Sequence, residues 1–452
     1  MTKSVSAANV PASTVNRATY LKHLLTQASA AADESGLPLK KIRDRAIASV
    51  SDRSFPSGKD EAWRFTDLSE MLGHPFERAA PVVYAEQPSL QTSARLVESR
   101  YQLTSINGHY VPALSSPSPD SSQTVTVAPL SELIKADDYT ETLAPIISKR
   151  LASVQGGEEV FTALNTAGFN DVMVVWVHAD QVLDEPICII RNAQEGAIAH
   201  LRTLIIAEPH ASFTLLESFS GESGAGDRAR CNTSVAEIWL AEGAQVNHIR
   251  LQDESAQTFH LAKTAVDQAT NSRYQCTAID LGAQLSRHHL EVYQSGPQTD
   301  THLYGLSALQ NRQLADTHSL LTVTYPHSSA TQVQKNIVDD RAHAVFNGRV
   351  FVAQAAQMTD AAQLNRNLML SSKARIDTKP ELDIVADNVK CAHGATVSQL
   401  RADEVFYLQS RGISAEQAQR LLLYGFAMEI VEKISVPSLR QSLSDRLTEW
   451  AR

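Results

Sequence analysis

Apolar residues are spaced differently in three stretches of the chain. From about residue 13 to 100 the spacing is helical. Tyr20, Leu21, Leu24 and Leu25 form one stripe, and Leu39, Ile42, Ala46 and Val50 form a second. Ser35-Gly36 and Pro38 fall between them, which predicts two helices. The segment Trp63-Arg64-Phe65-Thr66-Asp67-Leu68 follows, then a variable region containing the turn-rich Ser115–Ser122.

Between about 155 and 400 the pattern becomes that of strands. Short apolar runs recur, each ended by turn residues: Val172–Val177, Ile187–Ile190, Leu201–Ile206, Phe213–Leu216, Val235–Leu240 and Val246–Leu251. Small residues mark the bends, as in Pro209-His210-Ala211-Ser212 and Glu242-Gly243-Ala244-Gln245. Ala356, Ala374 and Ala392 stand 18 residues apart. A repeat of that length without helical segments predicts stacked β coils, each burying its face on the next. A β-sandwich or barrel with coincidental spacing is the rival reading.

The last stretch, 401–452, is helical again. Gly412 stands where a helix C-terminus favours positive φ, and Ser414-Ala415-Glu416-Gln417 forms a capping box. The helix it opens is apolar almost all round, with Leu421, Leu422, Leu423, Tyr424, Phe426, Ala427, Met428, Ile430 and Val431. One stripe facing one core does not need so many, so burial on two sides is expected, part of it by another subunit. Beyond Pro437, Leu439, Leu443, Leu447 and Trp450 share one face of a final helix.

Composition narrows the function. The 452 residues are 43% hydrophobic and 20% charged, enough to bury a sizeable core. A formal net charge of −10 without a basic run argues against nucleic acid and against an anionic membrane surface. No run approaches the roughly 20 apolar residues of a membrane span, and the N-terminus lacks the apolar region of a secretory signal. Cys188, Cys231, Cys276 and Cys391 are scattered, which points to a reducing, cytoplasmic compartment.

Catalytic motifs are scarce. Ser57-Gly58-Lys59-Asp60 contains a Gly-Lys pair, but Arg53 replaces the first Gly of a P-loop and Asp60 the Ser or Thr. The glycines of Ser220–Gly226 read as a loop, and Asp339-Asp340 as a turn. The remaining candidate is Lys390-Cys391-Ala392-His393-Gly394. In an extended strand Cys391 and His393 project from one face. Thiolate and imidazole together suit iron or zinc, although two ligands leave a site incomplete. The plainer alternative is a small buried Cys beside a hydrogen-bonded His.

These residues carry a family resemblance. Lys379–Ile384, Val389–Val397 and Phe406–Ile413 closely resemble the C-terminal signature of the SufB/SufD family. Ser329–Asn336, Phe346-Asn347-Gly348-Arg349-Val350, and Thr359–Ser371 with Gln363, Asn365 and Asn367 match it further upstream. Two features favour the SufD branch. Gly394 follows His393 where the SufB branch tends to have Glu, and no Cys precedes Cys188. Trp63–Leu68 also looks like the short motif of that branch.

The resemblance implies a mainly β fold, a right-handed parallel β-helix flanked by α-helical domains. The expected division is an N-terminal helical domain (1–100), a variable connecting region (101–154), the β-helix core (155–400) and a C-terminal helical domain (401–452). It also implies a scaffold subunit for iron–sulfur cluster assembly that is not itself an enzyme. The implied partners are SufB, paired through the end of the β-helix, and the ATPase SufC, docked on the C-terminal helices. On this basis Phe406, Tyr407, Arg411, Leu421, Leu422, Tyr424, Phe426 and Met428 are the expected partner-binding residues. Cys391 and His393 are the expected metal ligands, for a transient cluster or iron at the SufB interface and no tightly bound cofactor. The alternative is a β-solenoid enzyme, metal-dependent or acid–base, acting on polysaccharide.

Overall fold

The alternation of inward and outward side chains over strands mostly of nine to eleven residues builds two long sheets that face each other. The structure is a computed structural model that describes residues 16–34, 37–79, 97, 99–117, 124–136, 141, 143–193, 196–221 and 228–450. The Ser35-Gly36 break, residues 118–122 of the turn-rich stretch and residues 222–226 of the glycine loop lie outside the described residues.

The first sheet runs from Val125–Pro129 through Met173–Val177, Ala197–Ala207, Arg230–Leu240, Thr258–Gln268, Leu285–Gln294, Leu314–Val323 and His343–Val352 to Arg375–Ile384. The second runs from the hairpin Tyr101–Ile106/His109–Tyr110 through Ile187–Asn192, Ser212–Ser220, Gln245–Asp253, Arg273–Asp280, Asp300–Leu309, Ser329–Val338 and Asp360–Met369 to Lys390–Ser398. From Ala197 onward the chain alternates between the sheets, and every pair there is parallel. This is a β-solenoid, and it decides between the two architectures that alternation alone left open.

The coil is longer than the 18-residue spacing suggested. Second-sheet strands begin at Ser212, Gln245, Arg273, Asp300, Ser329, Asp360 and Lys390, so a coil takes 27 to 33 residues. Ala356 and Ala374 are successive corners half a coil apart, and Ala392 lies within a strand. The true repeat is marked by a left-handed residue at six of these seven corners leading into the second sheet, the one before Lys390 being the exception. His210, Gly243, Asn271, Gln298, His327 and Met358 have φ between 57° and 68°. Each is followed by a small buried residue, namely Ala211, Ala244, Ser272, Thr299, Ser328 or Thr359. The corner turns sharply, and only a small side chain fits inside it.

Helices cover the outer faces. Arg17–Glu34, Lys40–Val50 and Val160–Gly168 bury Leu21, Leu24, Leu25, Val50 and Phe161 against Leu261 and Leu285 of the first sheet. Ala415–Val431 and Pro437–Trp450 bury Leu423, Ile430, Leu439, Leu443 and Leu447 against Ile249, Ile279, Leu306 and Ile337 of the second. The capping box at Ser414 and the positive φ of Gly412 are present. Helix Val160–Gly168 lies in the stretch read as wholly strand, and Tyr101–Ile106 and Val125–Pro129 of the connecting region join the solenoid sheets.

Trp63–Leu68 fastens the N-terminal unit to the first sheet. The Arg287 guanidinium lies 3.9 Å from the Trp63 ring centroid. Arg287 also pairs with Asp316, which accepts a hydrogen bond from the Thr66 hydroxyl and lies 3.0 Å from His318 Nε2. All but the margin of this network is buried. The motif therefore has a structural task, to hold the helical unit on the solenoid.

Candidate functional site at the open end of the solenoid

A solenoid needs something over each end, because its terminal coils bare both apolar surface and unpaired backbone. The N-terminal end is covered. There the terminal strand Val125–Pro129, antiparallel to Met173–Val177, is buried along its whole length, and Leu103, Val125 and Val127 belong to the apolar core of the lumen. Among the described residues nothing covers the C-terminal end. Strand Lys390–Ser398 pairs there only with Asp360–Met369, and Arg375–Ile384 only with His343–Val352. Ile384, Val385 and Val397 are 38%, 47% and 49% exposed on that rim. Pro380 removes one backbone donor from the rim of the first sheet, whereas Lys390–Ser398 has no proline.

Cys391 and His393 stand in this rim. Their register partners are Ala361 and Gln363, and Ala361 and Gln363 are buried inside the solenoid. Both candidate ligands therefore project from one face, as their spacing predicts, and that face is the lumen. Cys391 is half-buried against the apolar core of the lumen. His393 is exposed at the mouth. Burial pushes the Cys391 thiol up, a hydrogen bond from the Ala361 backbone opposing part of the effect. The thiol is thus protonated at neutral pH until a metal or a cation displaces the proton.

The lumen behind them is polar. Gln332 and Gln363 are hydrogen-bonded at 2.9 Å, Asn336 and Asn367 at 2.7 Å, and the Asn367 amide donates to the Thr396 carbonyl in the rim strand. The residues that carry the resemblance, Gln363, Asn365, Asn367 and Gly348, are thus lumen residues. Sequence reasoning gave them no role, because a strand amide facing inward looks the same in sequence as one facing water.

The donors available for iron are few. Among the described residues no group of three or more His, Cys, Asp or Glu gathers as a cation site. Cys391 and His393 are two donors on one strand face, fewer than the four of a tetrahedral site.

The other candidate residues separate into two groups. Phe406 and Tyr407 on helix Ala402–Gln409 are 70% and 59% exposed, and Arg411 lies 5.4 Å from the Tyr407 ring centroid. Leu421 is 51% exposed and Leu422 half-buried. Tyr424, Phe426 and Met428 turn inward instead. Tyr424 shares a 2.9 Å hydrogen bond with Ser444, while Phe426 and Met428 pack in the cluster under the second sheet. Lys335 ties that helix down, with Nζ 2.9 Å from the Phe426 carbonyl oxygen and 2.5 Å from Glu429.

Nothing here supports the polysaccharide enzyme. A groove of about 980 Å³ beside helix Pro437–Trp450 holds Asp253 and Glu254. Asp253 is paired with Arg446 at 2.5 Å and Glu254 with His260 at 2.8 Å, so both carboxylates are held in ion pairs. Asp339-Asp340 forms a corner, where the Asp340 carboxylate accepts from the Asn311 amide. Among the described residues no helix is long and apolar enough to cross a membrane.

Comparison with known proteins agrees with the geometry. Residues 189–426 match the SufBD core domain of the SUF system for FeS cluster assembly, and residues 15–189 match the SufBD protein N-terminal region. An iron–sulfur cluster assembly SufBD family protein of Synechocystis is 42% identical over 94% of this chain and 93% of its own length. The chloroplastic protein ABCI7 of Arabidopsis thaliana is 31% identical over 93% of this chain and 88% of its own. The iron–sulfur cluster assembly protein SufD of Escherichia coli is 28% identical over 87% and 88%. A family model over more than half the chain, and a relative this close over nearly all of it, leave one assignment: the chain belongs to the SufB/SufD family, on its SufD branch, and serves iron–sulfur cluster assembly.

Proposed function

We propose that the chain is a non-catalytic scaffold whose open solenoid end pairs with SufB and whose C-terminal helices dock SufC. Family membership implies association with both proteins in a Suf complex. The observation that carries the placement is the asymmetry of the solenoid among the described residues: the terminal strand is buried at one end, and both terminal strands are partly or fully exposed at the other. Added strands on the two rims would satisfy the free backbone groups and cover Ile384, Val385 and Val397. Cys391 and His393 would then lie inside the joint, with the partner completing the ligands of a transient cluster or iron. Phe406, Tyr407, Arg411, Leu421 and Leu422 form the second docking surface, on the outer side of the molecule. ATP hydrolysis and sulfur release belong to partners on this reading. A reducing cytoplasmic compartment fits the four free cysteines.

Removing the C-terminal helices is a poor test, because it would bare Ile249, Ile279, Leu306 and Ile337. Paired substitutions are cleaner. Ile384→Lys with Val397→Lys should lower SufB co-purification at least about tenfold, since charges on an edge oppose strand addition, and should leave SufC bound. Phe406→Ala with Tyr407→Ala should do the reverse. Loss of both partners from either variant, or of neither, would contradict the two-surface assignment.

A further inference from the structure

Inside the lumen, one step behind the mouth, a buried amide chain ends on an oxygen without a partner. Gln332 is held across the lumen by Ser319, with Ser319 Oγ 2.8 Å from its Nε2 and 3.0 Å from its Oε1. Gln363 Nε2 donates to Gln332 Oε1 at 2.9 Å. That bond directs the nitrogen of Gln363 toward the preceding coil. Its carbonyl oxygen is fully buried and accepts no hydrogen bond from the described residues. A buried acceptor left in this way is costly, and such atoms are few in folded proteins.

The opposite wall is shaped for this side chain. A Cβ on Gly348 would lie 2.2 Å from Gln363 Nε2 and 2.6 Å from Phe346 Cζ. Glycine at 348 is thus what lets the amide reach across the lumen. In the other direction the register partner of Gln363 is His393. Parallel neighbours stack about 4.8 Å apart with their side chains in line, so His393 is the next donor in the column.

We propose that Gln363 is a positioning residue for His393: the two are not hydrogen-bonded in the structure, and a turn of the exposed imidazole toward the lumen lets the Gln363 carbonyl oxygen accept its N–H and so fix one tautomer, with the other ring nitrogen aimed out of the mouth. A neutral imidazole has one N–H and one lone pair, and the bond made by the first decides where the second points. Outer partners of this kind hold a metal-binding His in orientation and raise its basicity. The inference rests on the reading of His393 as a ligand, but it concerns the free chain and can be tested without metal.

The test uses the full chain labelled with ¹⁵N at histidine, the His393 signals being those lost in His393→Ala. The parent should show separate protonated and unprotonated ring nitrogens, the sign of one dominant tautomer. Gln363→Met, of similar volume but without an acceptor, should bring them to an averaged position. Gly348→Ala, which pushes the amide aside while keeping it, should do the same. If Gly348→Ala fails to fold, as judged by circular dichroism, Gln363→Met decides alone. In the reconstituted complex with SufB and SufC, Gln363→Met should weaken iron loading by about tenfold or more. Unchanged ring signals in Gln363→Met overturn the inference. If His393→Ala still loses iron in that case, the ligand reading survives. Normal loading in His393→Ala removes the ligand reading instead, and the ring signals still decide the hydrogen bond.

Discussion

Replacing His393 with alanine is expected to leave the complex assembled and to lower its iron and labile sulfide by about tenfold or more, since loss of even an outer partner of a ligand costs that much. The residue is exposed at the mouth, so its removal leaves no cavity in the core. A neutral imidazole coordinates without losing a proton. The Cys391 thiol must first lose one, and its half-buried position opposes that. Cys391→Ala should therefore give a smaller loss than His393→Ala. His393→Gln separates coordination from hydrogen bonding, because an amide can replace the second and is a poor substitute for the first. Iron loading at the parent level in His393→Gln or His393→Ala would remove the ligand role.

The second large effect is structural. Asp316→Leu is expected to destabilise the chain by about 3–5 kcal/mol, because it leaves the buried Arg287 guanidinium without its counter-charge. The N-terminal unit should loosen first, since Thr66 and Trp63 meet the solenoid at this network. The effect carries a pH signature. Burial would raise the Asp316 carboxyl, but Arg287, His318 and Thr66 more than reverse this and hold it well below the usual carboxylate range. A depressed folded-state value gives stability that is complete above the unfolded value, about 3.9 for Asp, and is lost as pH falls toward the folded one. Parent and variant should therefore differ most near neutrality and converge in acid. Urea midpoints at several pH values measure this. A difference under about 1 kcal/mol at neutral pH would show that the network does not hold the two units together.

Particular residues explain what the sequence made legible. Leu21, Leu24 and Leu25, and likewise Leu439, Leu443 and Leu447, form stripes because their helices bury one side only, and each stripe is buried as read. Helix Val160–Gly168 escaped the same reading because all nine of its residues are buried, so no polar face sets a period. The coil length was obscured by its variation, and by corners that place His, Asn, Gln and Met at positive φ where glycine would have advertised a turn. Residues 415–431 looked buried on two sides. In the structure Leu423, Ala427, Ile430 and Val431 face the sheet, while Leu421 faces outward.

The site was legible to the extent that it is local. Cys391 and His393 are two apart in one strand, and that spacing alone puts them on one face. Which face, and what stands behind it, depends on the register Ala361↔Cys391 and Gln363↔His393. Thirty residues separate each pair, and no local pattern encodes their alignment. Only the stacked coils bring the Gln363 carbonyl, the Gly348 gap and His393 into one column.

The central claim, that the chain works through its uncovered solenoid end, is tested most directly by amide hydrogen exchange with and without SufB. On this account the amides of Lys390–Ser398 and Arg375–Ile384 exchange readily in the free chain wherever they face the rim, with Pro380 contributing none. On complex formation they should become strongly protected as the rims gain new strands, while amides of the covered N-terminal strands Val125–Pro129 and Met173–Val177 stay unchanged. Unchanged exchange in Lys390–Ser398 within an intact complex, with new protection elsewhere, would contradict it.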